Sequence, residues 1–294
     1  MKQILFFAVG WLAACSPKET IDRAAHQQEV DAWHAERVED LKSATGWLNL
    51  AGLFWLKEGF NTFGSAEDND LVFPSGKMAG HAGAFFVTPT SVELQANEDA
   101  AILSNGVPVT KMLVYADTMR SRPMEHGSLQ WFVIRRDNLL GIRLRDLESD
   151  ALKNFHGIER YPVEVAYRLE AQFEPYQPPR QIDITNILGQ TYPQPSPGAV
   201  VFEWDGKEYR LDAIDEGGDE YFMIIGDETN KDETYPSGRY MYFAKPDAEG
   251  RVILDFNKLY NPPCAFTPFA TCPLPPRQNI LPIAIKAGEK NYEH

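Results

Sequence analysis

Between Asp255 and Asn279 the chain runs Asp-Phe-Asn-Lys-Leu-Tyr-Asn-Pro-Pro-Cys-Ala-Phe-Thr-Pro-Phe-Ala-Thr-Cys-Pro-Leu-Pro-Pro-Arg-Gln-Asn, and no other stretch constrains the fold as tightly. Proline lacks a backbone N–H and biases the residue before it away from helix, so the six prolines from Pro262 to Pro276 exclude a long helix and a central strand here. The same stretch carries Tyr260, Cys264, Phe266, Phe269 and Cys272, side chains for which a solvated linker has no use. An apolar connection with few backbone donors is expected to pack onto a domain, either as a cover over a barrel mouth or sheet edge or as part of a functional site.

The segments that feed this loop read as strands. Residues 181–185, 198–204, 208–211, 221–225, 239–243 and 252–256 are short apolar or alternating runs, and Asp205-Gly206 between two of them is a hairpin signal. They predict an antiparallel domain over 181–294, a small barrel or sandwich closed by the Pro/Cys-rich loop. If the last three strands are neighbours, one edge gathers Asp227, Tyr235, Arg239, Asp255, Asn257 and Asn261. Arg239 is then expected beside Asp227 and Asp255. Two readings of this polar cluster stand side by side: a structural ion pair, since a buried arginine needs a partner, and a ligand pocket. In the pocket Arg239 would take an anionic or carbonyl group and a carboxylate would act as base.

The N-terminal half is also expected to be β-rich. After a helix over 20–43, with Val30, Trp33, Val38 and Leu41 near one face, an aromatic segment from Gly46 to Gly59 leads into runs at 71–73, 84–87, 92–94, 112–114, 129–134 and 141–144. Turn signals at Glu67–Asp70, Ser104–Gly106 and Arg136–Asn138 separate them, which predicts a sandwich over 46–145. Residues 146–180 are expected to bridge the two units. In the sandwich, Phe63-Gly-Ser, Asn69-Asp-Leu-Val-Phe73, His81-Ala, Asn105-Gly-Val-Pro-Val109 and Gly127 follow one another in an order that resembles a forkhead-associated domain. The resemblance implies that fold. Ser65 and Met78 stand where the family has its phosphate-contacting arginine and serine, so the scaffold is expected without phosphothreonine binding.

Lys2, the apolar run Ile4–Ala14 and Cys15 read as a secretory signal over residues 1–14. Leu12-Ala-Ala-Cys15 resembles a bacterial lipobox, which implies an acylated Cys15 at the head of residues 15–45 and, with Ser16 following, an outer-membrane anchor facing the periplasm. Cys264 and Cys272 are then the two remaining cysteines. An oxidising compartment makes a disulfide between them one expectation, with free buried thiols or a metal pair as the alternatives. A formal net charge of -14 argues against nucleic acid as a partner. Six scattered histidines give no metal-ligand spacing outside the helix, and no cofactor or catalytic signature is present.

Gly226-Asp-x-Thr, Thr234-Tyr-x-x-Gly-Arg-Tyr240, the Asp255–Pro276 segment, Asn279 and Ala287-Gly-Glu-Lys290 resemble the uncharacterised family called domain of unknown function 1684, as do Gly46-Trp-Leu and Leu53–Gly59. The resemblance implies no activity, cofactor or catalytic residue. The leading expectation is an envelope lipoprotein that binds a small ligand or protein partner. The rivals are a hydrolase or other enzyme with a site around Arg239, and a purely structural envelope component.

Overall fold

The computed structural model describes residues 21–136 and 138–293; the expected signal segment and Cys15 lie outside them. The first element is a helix, α1 (Arg23–Lys42). Asp22 caps it by accepting from the Ala24 and Ala25 N–H groups, and Lys42 in its last turn suits the carbonyl end of the helix dipole. His26, Val30 and Leu41 form its buried stripe. Gly46 then lets the chain double back against the helix end, because a Cβ there would sit 2.1 Å from the Leu41 carbonyl oxygen.

A β-sandwich follows. Its strands are β1 (Leu50–Trp55), β2 (Gly59–Gly64), β3 (Leu71–Val72), β4 (Gly83–Thr88), β5 (Ser91–Ala96) and β6 (Leu103–Ser104). Then come β7 (Val107–Pro108), β8 (Lys111–Ala116), β9 (Met124–His126), β10 (Leu129–Arg136) and β11 (Leu139–Asp146). They form a six-stranded sheet, β1-β11-β10-β9-β6-β7, and a five-stranded sheet, β3-β2-β4-β5-β8. The inner faces bury Phe63, Phe73, Phe85 and Trp131, with Phe63 and Phe85 stacked at 4.7 Å and Phe73 edge-on to Trp131 at 5.4 Å. Strand alternation puts Phe132, Ile134 and Arg136 of β10, and Gly141, Arg143 and Arg145 of β11, on the opposite, outer face.

The connection to the second unit carries one short helix, α2 (Asp150–Lys153), and ends sooner than expected. The bridge foreseen at 146–180 stops at Tyr167, because residues 168–172 already pair with one neighbouring strand and 172–175 with another. The second unit comprises β12 (Arg168–Thr185), β13 (Thr191–Trp204), β14 (Lys207–Asp212), β15 (Glu220–Ile225), β16 (Arg239–Ala244) and β17 (Arg251–Asp255). Four strands run β14-β13-β12-β17, and the β15–β16 hairpin joins through the bridge Ile214↔Phe222, which curls the whole into a half-barrel. The β12–β13 ladder shifts register between Pro175 and Arg180, where Pro175, Pro178 and Pro179 remove ladder donors. The unit has two cores, on opposite faces of the β15–β16 hairpin. One holds Phe173, Phe202, Met223, Met241 and Phe256; the other holds Ile184, Phe222, Ile224, Tyr240 and Cys272.

The Pro/Cys-rich loop closes the second of these cores. Phe266, Ala270 and Cys272 are buried, and Cys264 is bonded to Cys272 with the α-carbons 6.1 Å apart. Backbone bonds fasten it to the β12–β13 hairpin: Leu274 N–H bonds the Thr185 carbonyl, and the Cys272 carbonyl accepts from Ile187 at the hairpin tip. A junction of Leu41, Leu48, Ile158, Ala265 and Phe266 packs α1, the start of the sandwich and this loop together.

Candidate functional site

The six polar residues expected on one edge belong to three networks. The first surrounds Arg239, which is fully buried. Antiparallel pairing of β15 with β16 sets Arg239 opposite Ile225, two residues from Asp227. Gly238, at φ +87°, brings the chain into this corner, where a Cβ would meet the Ile225 carbonyl oxygen at 2.7 Å. Arg239 Nη2 donates to Asp227 Oδ2 at 2.8 Å and to the Ile285 carbonyl at 2.9 Å, while Nη1 donates to the carbonyls of Ala287 and Glu289. Asp227 Oδ1 in turn accepts from the Thr229 N–H, the Thr229 hydroxyl and the Ile285 N–H. Tyr235 joins only through its carbonyl, which accepts from Asn230.

Asp255 is not beside Arg239. The chain enters a short 3-10 turn at Phe256 that carries the Asp255 carboxylate toward α1. There its Oδ2 lies 2.7 Å from His26 Nε2, and its Oδ1 accepts from Asn257. Asn257 then pins the backbone of Glu164 through both its amide groups. The third network centres on Glu289, buried to 1% exposure. Its carboxylate accepts from the Asn261 N–H at 2.7 Å and from Arg37 Nε at 3.1 Å, and Arg37 Nη2 also reaches the Asn261 carbonyl. Burial raises the Glu289 pKa, against the opposing pull of Arg37, the Asn261 N–H and Arg239. The first and third networks meet at Glu289, whose carbonyl accepts from Arg239 while its carboxylate holds Arg37 and the Asn261 N–H, and each network fastens one part of the chain to another.

The geometry suited to a ligand lies between these networks and the sandwich. A cleft of about 560 Å³ opens where α1, the outer face of β10–β11 and the Pro/Cys-rich loop meet. Its aromatic wall is Trp33 of α1 with Phe222, Tyr240, Tyr242 and Tyr260 of the second unit. Phe222 and Tyr242 lie 4.9 Å apart, the Tyr242 and Tyr260 planes are within 11° of parallel, and Arg37 sits 4.4 Å above the Tyr260 ring. Burial pushes the phenols of Tyr240, Tyr242 and Tyr260 well above their ordinary value, so they stay neutral. Two of them have acceptors: Tyr240 donates to the Pro273 carbonyl and Tyr242 to Glu216, both at 2.8 Å.

Trp47, Arg136 and Arg143 also line the cleft. Arg143 is 6% exposed, yet its Nε is buried without a partner, and among the described residues its guanidinium makes neither a hydrogen bond nor an ion pair. Its guanidinium carbon lies 5.9 Å from the centre of the Trp47 ring. Burial first, and then Arg136 and Arg145, push its pKa down to about 10. Sequence reasoning missed this residue. Its signal was an arginine inside the apolar run Gly141-Ile-Arg-Leu144, at a strand position that a one-layer reading assigns to solvent. Among the described residues no three His, Cys, Asp or Glu side chains gather closely enough to hold a metal ion.

The molecule is thus a mainly β protein of two units with a helix and a disulfide-braced loop clasped between them. Residues 153–290 match the family model described as "Protein of unknown function (DUF1684)". An uncharacterized protein of Haloarcula marismortui, solved by solution NMR, is similar at 27% identity, over 47% of this chain and 78% of that one, with a TM-score of 0.40. A search among proteins of curated function finds no match.

Proposed function

We propose that the protein is an envelope lipoprotein, anchored through acylated Cys15, that binds a small organic ligand in the cleft between α1, the sandwich and the Pro/Cys-rich loop. The observation that carries the binding reading is the cleft itself, with a volume in the range of small-molecule sites and an aromatic wall assembled from distant parts of the chain. The Leu12-Ala-Ala-Cys15 motif supports the anchor, and a Cys264–Cys272 disulfide suits an oxidising compartment. No helix among the described residues is long and apolar enough to cross a membrane. The sandwich, read as a forkhead-associated-like scaffold, acts as a wall of the cleft and not as a phosphopeptide reader: Ser65 spends its hydroxyl on the Met78 carbonyl. The hydrolase reading around Arg239 draws no support from a guanidinium that is wholly enclosed by its own domain.

Two measurements test the proposal. Mass spectrometry of the mature N-terminus should find an acylated Cys15; an intact Met1 would end the anchor. A metabolite library screened by thermal shift should give stabilising hits that Thr271→Trp, which fills the cleft, removes without lowering the melting temperature of the free protein. Hits indifferent to Thr271→Trp would put binding elsewhere and overturn the cleft.

A further inference from the structure

We infer that the cleft takes a flat organic monocarboxylate, whose carboxylate is received by Arg143. This rests on the binding reading above and adds a chemical class to it. A guanidinium keeps its charge at neutral pH even in this setting, and a buried charge without a partner is costly to the fold. The other cations at the cleft are committed: Arg37 to Glu289 and the Asn261 carbonyl, and Arg136 to the Arg135 carbonyl at 3.0 Å. Arg145, its neighbour on the same strand face, holds Asn49 and the Gly46 carbonyl. Arg143 has no partner of its own, and a carboxylate can meet its two Nη groups with two parallel hydrogen bonds.

Two further features narrow the class. Glu36, Asp40 and Glu216 also line the cleft, so a second negative charge on the ligand would be repelled. That favours a monocarboxylate over a phosphate dianion. The ring faces of Trp33, Tyr242 and Tyr260 supply a surface for a flat body, which bent or branched aliphatic groups would cover poorly.

The test uses 2-naphthoate, 2-naphthamide and 2-naphthyl phosphate, followed by isothermal titration and by quenching of the tryptophans. Naphthoate should bind at least about tenfold more tightly than the neutral amide, since a charge-assisted pair is lost with the amide. It should also bind more tightly than the phosphate. Arg143→Met should weaken naphthoate by about tenfold or more while leaving the amide unchanged, and Arg143→Lys should restore part of the loss. The same Arg143→Met protein should melt at or above the parent temperature, because an unpaired buried charge has been exchanged for an apolar chain. A structural role would instead lower the melting temperature and weaken both ligands alike. Equal affinity for acid and amide, tighter binding of the phosphate, unchanged naphthoate affinity in Arg143→Met, or no naphthoate binding at millimolar concentration would each overturn the inference. Amide binding that Thr271→Trp blocks would, in those cases, leave the cleft standing as a binding site and remove only its charge preference.

Discussion

Arg239 and Arg143 are both removed from solvent, at 0% and 6% exposure, and they are treated in opposite ways. Arg239 is ringed by a carboxylate, a hydroxyl and three carbonyls, and only its Nε is left without a partner. Arg143 has an aromatic ring and two like charges around it. A fold that satisfies one buried arginine five times over and leaves another bare is using them differently: the first closes a domain, the second faces a cleft. His26 Nδ1, His34 Nε2 and Arg160 Nη1 are also buried without partners, and all three lie along the seam where α1 meets the second unit. Asn69 Oδ1 and Trp131 Nε1 in the sandwich and Asn261 Oδ1 in the half-barrel are further unpartnered atoms, so the contrast rests on the two guanidinium groups themselves.

The sharpest way to break this contrast is Arg239→Met. Asp227 would keep its hydroxyl and N–H donors but lose its cation, which should destabilise the protein by about 3–5 kcal/mol in chemical denaturation. A loss below about 1 kcal/mol would mean that Arg239 is no more structural than Arg143. Asn279→Ala comes next. The Asn279 side chain accepts from the Asp212 N–H and donates to the carbonyls of Asp212 and Ile224, so one amide stitches β14 to β15 where the two sheets are otherwise barely joined. Removing it should cost about 3 kcal/mol, read as a shift of the denaturant midpoint with the slope unchanged.

The disulfide separates the two regions directly, because Cys272 lines the cleft and contributes nothing to the Arg239 network. Cys264→Ser with Cys272→Ser should destabilise by about 2.5 kcal/mol, the chain-entropy value for so short a loop. Amide exchange should quicken across residues 264–274 and stay protected at 285–289, where the carbonyls around Arg239 lie. Equal quickening in both segments would show that loop and buried network open as one unit.

Much of the half-barrel was legible because its strands carry their own signals. β15, β16 and β17 are short β-branched and aromatic runs bounded by turn residues, and antiparallel order alone brings Arg239 near Asp227. The same logic put Asp255 beside Arg239 and failed, because strand order does not foresee the turn at Phe256 or a histidine 229 positions earlier. The Pro/Cys-rich loop was legible as packed, since its apolar side chains and missing donors admit no solvated alternative. The cleft was not legible at all. Its walls come from Trp33, Arg143 and Tyr242, which share no local pattern, and Arg143 looks like an ordinary outward strand residue until a second layer covers it.

The smallest expected effect concerns how firmly that second layer is held. His34 on α1 is partly buried, its Nε2 has no partner, and burial lowers its pKa below the ordinary 6.5, helped by Arg160 and Arg37 and opposed by Asp31. A histidine whose folded pKa lies below its unfolded one binds more protons unfolded than folded, so it contributes full stability above about pH 6.5 and loses it as the pH falls through the window below. Glu289, raised by burial, has the opposite slope, beginning at the ordinary carboxylate value of 4.5 and costing stability as the pH rises from there. The two slopes are told apart by subtraction. Denaturation midpoints of the parent and of His34→Gln, compared between about pH 7.5 and 5.5, should converge at the acid end, because only the parent must charge an imidazole beside Arg160 and Arg37. Hydrogen exchange should show the loss in α1 and not at the amides around Arg239. If His34→Gln keeps the parent's dependence across that range, the seam is not titrating through α1, and its unpartnered groups are no softer than the sealed ones.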